Sequence, residues 1–165
     1  LIYSLKKHSK HLQFRGVGGA KMKEAGLHSI FNIVDLSIIG FLEIIPSIPR
    51  IVSRLNTTIQ DISNYKPDIV ITIDSPGFNF RLAKKLRKKF GKAIKIVHYV
   101  APSVWAYKPE RVHVVKELFD HLLCILPMEQ QYFDKVSMST TYIGHPILED
   151  KITRVKWSRN IIRHR

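Results

Sequence analysis

Strands alternating with helical patterns predict an α/β fold, a parallel sheet flanked by helices. Three observations carry that prediction. Short β-rich runs recur at residues 68–73, 94–99, 121–126 and 140–143, each separated from the next by a helical pattern. The first of these, Asp-Ile-Val-Ile-Thr-Ile, is a β-branched run suited to a strand buried on both faces. The chain has 165 residues, 45% of them hydrophobic. That suffices for one domain with a real core and falls short of two full α/β domains.

Taken in order, residues 1–10 read as the end of a helix and residues 12–17 as a strand closed by Gly18 and Gly19. Residues 20–25 form a short helix stopped by Gly26. Residues 33–49 are the most apolar stretch, but Asp35, Glu43, Pro46 and Pro49 interrupt it. It is therefore no spanning helix, which needs roughly 20 predominantly apolar residues. A membrane surface remains open to it. Over residues 50–64 the apolar positions Ile51, Val52, Leu55, Ile59 and Ile62 keep a near-3.6 period, hence an amphipathic helix. Asp74-Ser75-Pro76-Gly77 is a turn. Residues 78–90 form a helix with Phe78, Leu82 and Leu86 on one side, Arg and Lys on the other, and Gly91 as its stop. Helices follow at 109–119 and 129–135. Such βαβ units make right-handed crossovers, and their ligands bind outside the carboxyl ends of the strands.

The charge balance is strongly basic: 27 Lys and Arg against 13 Asp and Glu give +14. Such a surface attracts anions, whether nucleic acid, acidic phospholipid or phosphorylated substrates. Six of the basic residues fall in residues 151–165, a stretch without acids, which leaves +8 over residues 1–150. A second concentration, at 81–95, has the spacing of a helix's solvated face. Cys124 is the one cysteine, inside Leu-Leu-Cys-Ile-Leu, so it reads as a small buried hydrophobe in a reducing compartment.

Four strand ends hold the candidate chemistry. Asp74 follows Ile73, where a carboxylate can take a proton from an attacking sugar hydroxyl or simply shape the turn and cap the next helix. Gly16-Val17-Gly18-Gly19 precedes a helix, where glycines let a ligand approach the backbone or make a plain tight turn. Residues 98–107, His-Tyr-Val-Ala-Pro-Ser-Val-Trp-Ala-Tyr, end a strand in an aromatic loop suited to stacking on sugars or to packing a domain edge. Gly144-His145-Pro146 closes the last strand. The eight histidines show no ligand spacing, and neither Cys-x-x-Cys nor a Gly-x-Ser-x-Gly elbow occurs.

These pieces, in this order, resemble the lipid A disaccharide synthases. The motifs are Gly16 to Gly19 with Met22 and Gly26, Leu36 to Glu43, Pro67-Asp68, Ile73 to Asn79, His98 to Ala106, Arg111-Val112, Leu126-Pro127 with Glu129, and Gly144 to Pro146. The resemblance covers residues 1–150 and implies one Rossmann-like, acceptor-binding N-terminal domain of a two-domain glycosyltransferase. It implies attack by the 6′-hydroxyl of 2,3-diacylglucosamine 1-phosphate on the anomeric carbon of UDP-2,3-diacylglucosamine. UDP leaves with inversion, and neither metal nor other cofactor takes part. Asp74 matches the family's proposed general base, which burial beside apolar neighbours would tune toward its task. Gly18, Gly19, Glu43, Asn79, Ser103, Trp105 and His145 match positions lining the substrate cleft. Glu43 lies in the apolar segment expected to meet acyl chains or an anionic membrane, and the resemblance implies a peripheral enzyme on the cytoplasmic face of the inner membrane.

The family pattern also holds an opening strand with a Gly-Glu-x-Ser-Gly-Asp-like loop and a second, donor-binding domain. Neither occurs in these residues, so the chain is expected to be an incomplete domain, truncated at both ends and inactive as a transferase alone. Residues 151–165 form a basic tail without a family match in this reading. The competing expectation is an inactive basic remnant that only binds anionic membrane or nucleic acid. The aromatics of residues 99–107 stand apart from the densest charges, which argues against a nucleic-acid binder. A nucleotide-sugar epimerase half would share the fold but not Pro-Ser-Val-Trp-Ala.

Overall fold

The computed structural model describes residues 1–9, 11–36, 44–106 and 108–145. Their contacts divide into two compact units, one of Leu1–Asp68 with Ser75–Ile94, the other of Ile69–Asp74 with the chain from Lys95 onward.

The second unit holds a four-stranded parallel sheet in the order β1-β2-β3-β4. The strands are β1 (Ile69–Ile73), β2 (Lys95–Tyr99), β3 (His121–Cys124) and β4 (Thr140–Tyr142). Ile69 pairs with Lys95, Val97 with His121 and Leu122 with Thr140, and each ladder runs on in parallel register. Side chains alternate along a strand, so Val70, Thr72, Ile96, His98, Leu122 and Cys124 share one face, and all six are buried. Helices α5 (Arg111–Leu118) and α6 (Gln130–Asp134) add Val112, Val115, Leu118 and Phe133 to the buried set, with Phe119 just after α5.

The first unit is helical: α1 (Ile2–His8), α2 (Ala20–Glu24), a 3-10 turn (Ile33–Leu36), α3 (Ile44–Tyr65) and α4 (Pro76–Phe90). Helices α3 and α4 pack together. Lys85 Nζ donates to Asn56 Oδ1 at 3.2 Å and Lys89 Nζ to Ser63 Oγ at 2.8 Å. Pro76 opens α4, where its missing N–H costs nothing, and Arg87, Lys88 and Lys89 sit at the negative end of the helix dipole. Phe78, Leu82 and Leu86 are buried, as their spacing predicts. Arg54 anchors α3: it pairs with Asp35 at 2.7 Å and lies over the Phe31 ring.

The α/β alternation predicted from the sequence is present, with three corrections. Residues 12–17 form no strand; their one sheet-like pairing is the bridge Gly16↔Ser29, and alternation without a ladder partner does not make a strand. Helix α3 begins at Ile44, ahead of the predicted residue 50, and carries Pro49 inside it. Pro46 falls among the first four N–H positions of the helix, which lack intrahelical acceptors, whereas Pro49 lies beyond them and removes one i→i−4 hydrogen bond. Strand β1 is not buried on both faces: Ile69 is 53% and Ile71 37% exposed, while Val70 and Thr72 are buried.

Candidate functional site

The carboxyl ends of β1 and β2 carry unusual backbone. Asp74 (φ 47°) and Ser75 (φ 45°) follow β1, and Val100 (φ 74°) follows β2, all in the left-handed region. For a β-branched residue such as Val100 that is a genuine outlier. Each such residue costs on the order of 1–3 kcal/mol, and such residues cluster at functional sites. The ladder is nevertheless extended: the Asp74 N–H donates to the Tyr99 carbonyl at 2.9 Å and the Val100 N–H to the Leu123 carbonyl at 3.1 Å. Asp74 therefore stands at a defined point of the sheet edge. It is exposed, contrary to the burial expected for it.

Beside it lies a polar pair in an apolar setting. Thr72 and His98 are register partners. Thr72 Oγ1 lies 2.7 Å from His98 Nδ1, and the His98 ring stacks on Phe119 with centroids 4.6 Å apart. His98 is 1% exposed. Burial pushes its pKa down to about 4, against an opposing pull from the Asp74 charge, so the imidazole is neutral near pH 7. Thr72 was not singled out from the sequence, and His98 only as the first residue of the 98–107 stretch. A signal existed: each strand has one polar side chain in its otherwise apolar buried face, at the same register position.

The loop after β2 is pinned by Ala101 and Val104, 3% and 2% exposed, which leave Ser103 and Trp105 exposed. Trp105 is 41% exposed. His145 is half-buried after Gly144, which has φ 81°. Glu129 is buried, and its Oε2 accepts from the backbone N–H of Ile125 and of Leu126, both at 2.9 Å. That carboxylate organises the turn after β3. Cys124 is fully buried, and its thiol is pushed up to about 11, first by burial and then by Glu129 and Asp134. It is a packing residue, as its apolar neighbours predict.

The other site candidates belong to the first unit. Gly18 makes way for packing: a Cβ there would lie 2.5 Å from Met22 Sδ and 2.7 Å from Leu27 Cδ2. Gly19 precedes α2, and its carbonyl accepts from the Met22 and Lys23 N–H groups. Asn79 is buried on α4. Glu43, the residues around it from 37 on, and the basic stretch 151–165 lie outside the described residues. Among the described residues no group of His, Cys, Asp and Glu is placed to hold a metal ion, and no helix is long and apolar enough to cross a membrane.

Asp74 thus follows the end of β1, and the loop after β2 exposes Ser103 and Trp105. A profile of the lipid-A-disaccharide synthetase family matches residues 1–163. The chain belongs to this family. The match continues through most of the stretch set apart above as a basic tail. The lipid-A-disaccharide synthase of Rickettsia typhi is 48% identical over 151 residues, covering 91% of this chain and 40% of the relative. That of Rickettsia prowazekii is 46% identical over 151 residues, with the same coverage. That of Gluconobacter oxydans is 41% identical over 164 residues, covering 99% of this chain and 39% of the relative. The chain thus spans about 40% of the length of the synthases it matches.

Proposed function

We propose that this chain is the acceptor-side part of a lipid A disaccharide synthase, a glycosyltransferase of lipid A biosynthesis. The reaction condenses UDP-2,3-diacylglucosamine with 2,3-diacylglucosamine 1-phosphate to lipid A disaccharide 1-phosphate and UDP. The observation that carries the reading is Asp74, an exposed carboxylate at the end of β1 in a member of this family. Asp74 accepts the proton of the 6′-hydroxyl as that oxygen bonds to the anomeric carbon. The bond from that carbon to the UDP oxygen breaks, and UDP leaves with its electron pair. The configuration inverts.

In this reading Trp105 stacks on a glucosamine ring, Ser103, Asn79 and His145 hydrogen-bond its substituents, and Glu43 stands at the acyl-chain side. Gly18 and Gly19 keep the backbone near the substrate free of side chains. Arg81, Lys84, Lys85, Lys88 and Lys89 are exposed along α4. Cations there suit a peripheral enzyme whose substrates are anionic lipids on the cytoplasmic face of the inner membrane. The UDP-sugar is held by a separate donor domain, without which the charge developing on UDP has no stabilising partner.

The test is a chimera in which this sequence replaces its counterpart in the Rickettsia typhi relative. The chimera is expected to form disaccharide from the two acylated substrates. Asp74→Ala in the chimera is expected to reduce turnover by roughly 10²–10⁴-fold, the range for a lost general base. A chimera that keeps its rate without the Asp74 carboxylate would sink this reading.

A further inference from the structure

Strand β3 lies between β2 and β4, so the turn that follows it stands between the loop after β2 and the Gly144–His145 end of β4. Both neighbours are tied to its last residues. The Val100 N–H donates to the Leu123 carbonyl at 3.1 Å and the Ile143 N–H to the Cys124 carbonyl at 2.9 Å. The next two residues, Ile125 and Leu126, are held by Glu129, whose Oε2 accepts from both backbone N–H groups at 2.9 Å. The tip of the turn, Pro127 and Met128, is exposed. We propose that Pro127 and Met128 form an apolar wall of the acceptor site, and that Glu129 is the positioning residue that sets this wall. This rests on the reading of the chain as the part that binds the acylated acceptor sugar.

A carboxylate is a costly way to close a turn. Glu129 is 2% exposed, and a buried charge destabilises the fold unless hydrogen bonds or a cation compensate it. Among the described residues no cation pairs with it, and its carboxylate accepts from the two backbone groups alone. A short neutral side chain could cap the helix that follows at lower cost. Instead the Glu129 side chain makes no capping bond to α6 and reaches back to the end of β3. Bonds from N–H groups to an ionised oxygen are the stronger kind. The Glu129 N–H also donates to the Leu126 carbonyl at 3.2 Å, so side chain and backbone close the turn together. What this holds in place is apolar and open. Met128 is 42% exposed, at the sheet edge where ligands of parallel α/β sheets bind. A flexible thioether adapts to irregular apolar shapes, which suits the acyl chains of such a sugar.

The test uses the full 165-residue chain and a water-soluble 2,3-diacylglucosamine 1-phosphate with short acyl chains. Backbone amide signals in nuclear magnetic resonance report where this probe binds. In the wild type it is expected to shift Leu126 and Met128 together with Ser103 and Trp105. Shifts at Ser103 and Trp105 alone would overturn the role of the turn and leave the acceptor reading standing, whereas no shift anywhere would overturn both. Glu129→Gln keeps an oxygen that can accept from both N–H groups and is expected to bind the probe as wild type does. Glu129→Ala leaves those groups without their acceptor and is expected to weaken binding roughly tenfold. If Glu129 only supports the fold, Glu129→Ala lowers the melting temperature while its affinity for the probe equals that of wild type, and that result overturns the proposal. Should Glu129→Ala fail to fold, Met128→Ser decides: it changes the exposed wall and leaves the core untouched, so an unchanged affinity overturns the proposal and a weakened one supports it.

Discussion

Thr72 Oγ1 and His98 Nδ1 meet at 2.7 Å across the β1–β2 pair, inside the buried face of the sheet. Thr72→Val keeps the shape and removes the hydroxyl. Left without that partner, a buried ring nitrogen costs about 1–3 kcal/mol. We expect a lower urea midpoint with an unchanged slope. A midpoint equal to wild type would mean that the contact contributes nothing to stability.

The same histidine ties stability to pH. Its folded pKa of about 4 lies below the ordinary 6.5, so between these values the unfolded chain binds the extra proton. Stability from this group is present above about pH 6.5 and is lost as pH falls toward 4. A shift of this size corresponds to at most about 3 kcal/mol, as an order of magnitude. Unfolding free energies measured at pH 7, 5.5 and 4 should fall less steeply in His98→Asn than in wild type. Parallel curves would refute the assignment to His98.

Gly18 and Gly19 are expected to respond differently to alanine. At Gly18 a methyl group would press on Met22 Sδ at 2.5 Å and Met22 Cβ at 2.9 Å, whereas at Gly19 the nearest atom is Ile33 Cγ2 at 3.8 Å. Overpacking of the first kind costs about 1–3 kcal/mol. Thermal melts should show Gly18→Ala the less stable of the two, and the reverse order would contradict the packing described for this turn.

Cys124 should be unreactive in the folded chain. Its thiol is fully buried and held protonated well above neutral pH, while thiolate is the reacting form. A thiol-specific reagent at pH 8 is expected to label it only after denaturant is added. Rapid labelling of the native chain would show β3 opening in solution.

How much was legible beforehand depended on whether a signal was local. Alternation and glycine stops located β1 to β4 and α4 to within a few residues, because period and punctuation are properties of short windows. The ladder is not local, so residues 12–17 read as a strand although only Gly16 finds a partner, in Ser29. Asp74 and the Ser103–Trp105 loop were visible because motif and strand end coincided. Thr72 and its pairing with His98 were missed because that contact lies in a register between residues 26 apart in the chain. The burial wrongly expected of Asp74 has a similar origin: apolar neighbours in sequence point to alternate faces of a strand, and the aspartate lies past its end.

The left-handed residues that close β1 and β2 also bear on how the chain tolerates change. Asp74 and Val100 occupy conformations that glycine would adopt without strain. Exchange to glycine relieves that strain, so selection for stability alone would be drawn to these two positions. At Asp74 that exchange deletes the carboxylate. A directed-evolution campaign scored on melting temperature would therefore enrich changes at the strand ends first, and an assay for sugar transfer run alongside it would record the corresponding trade-off.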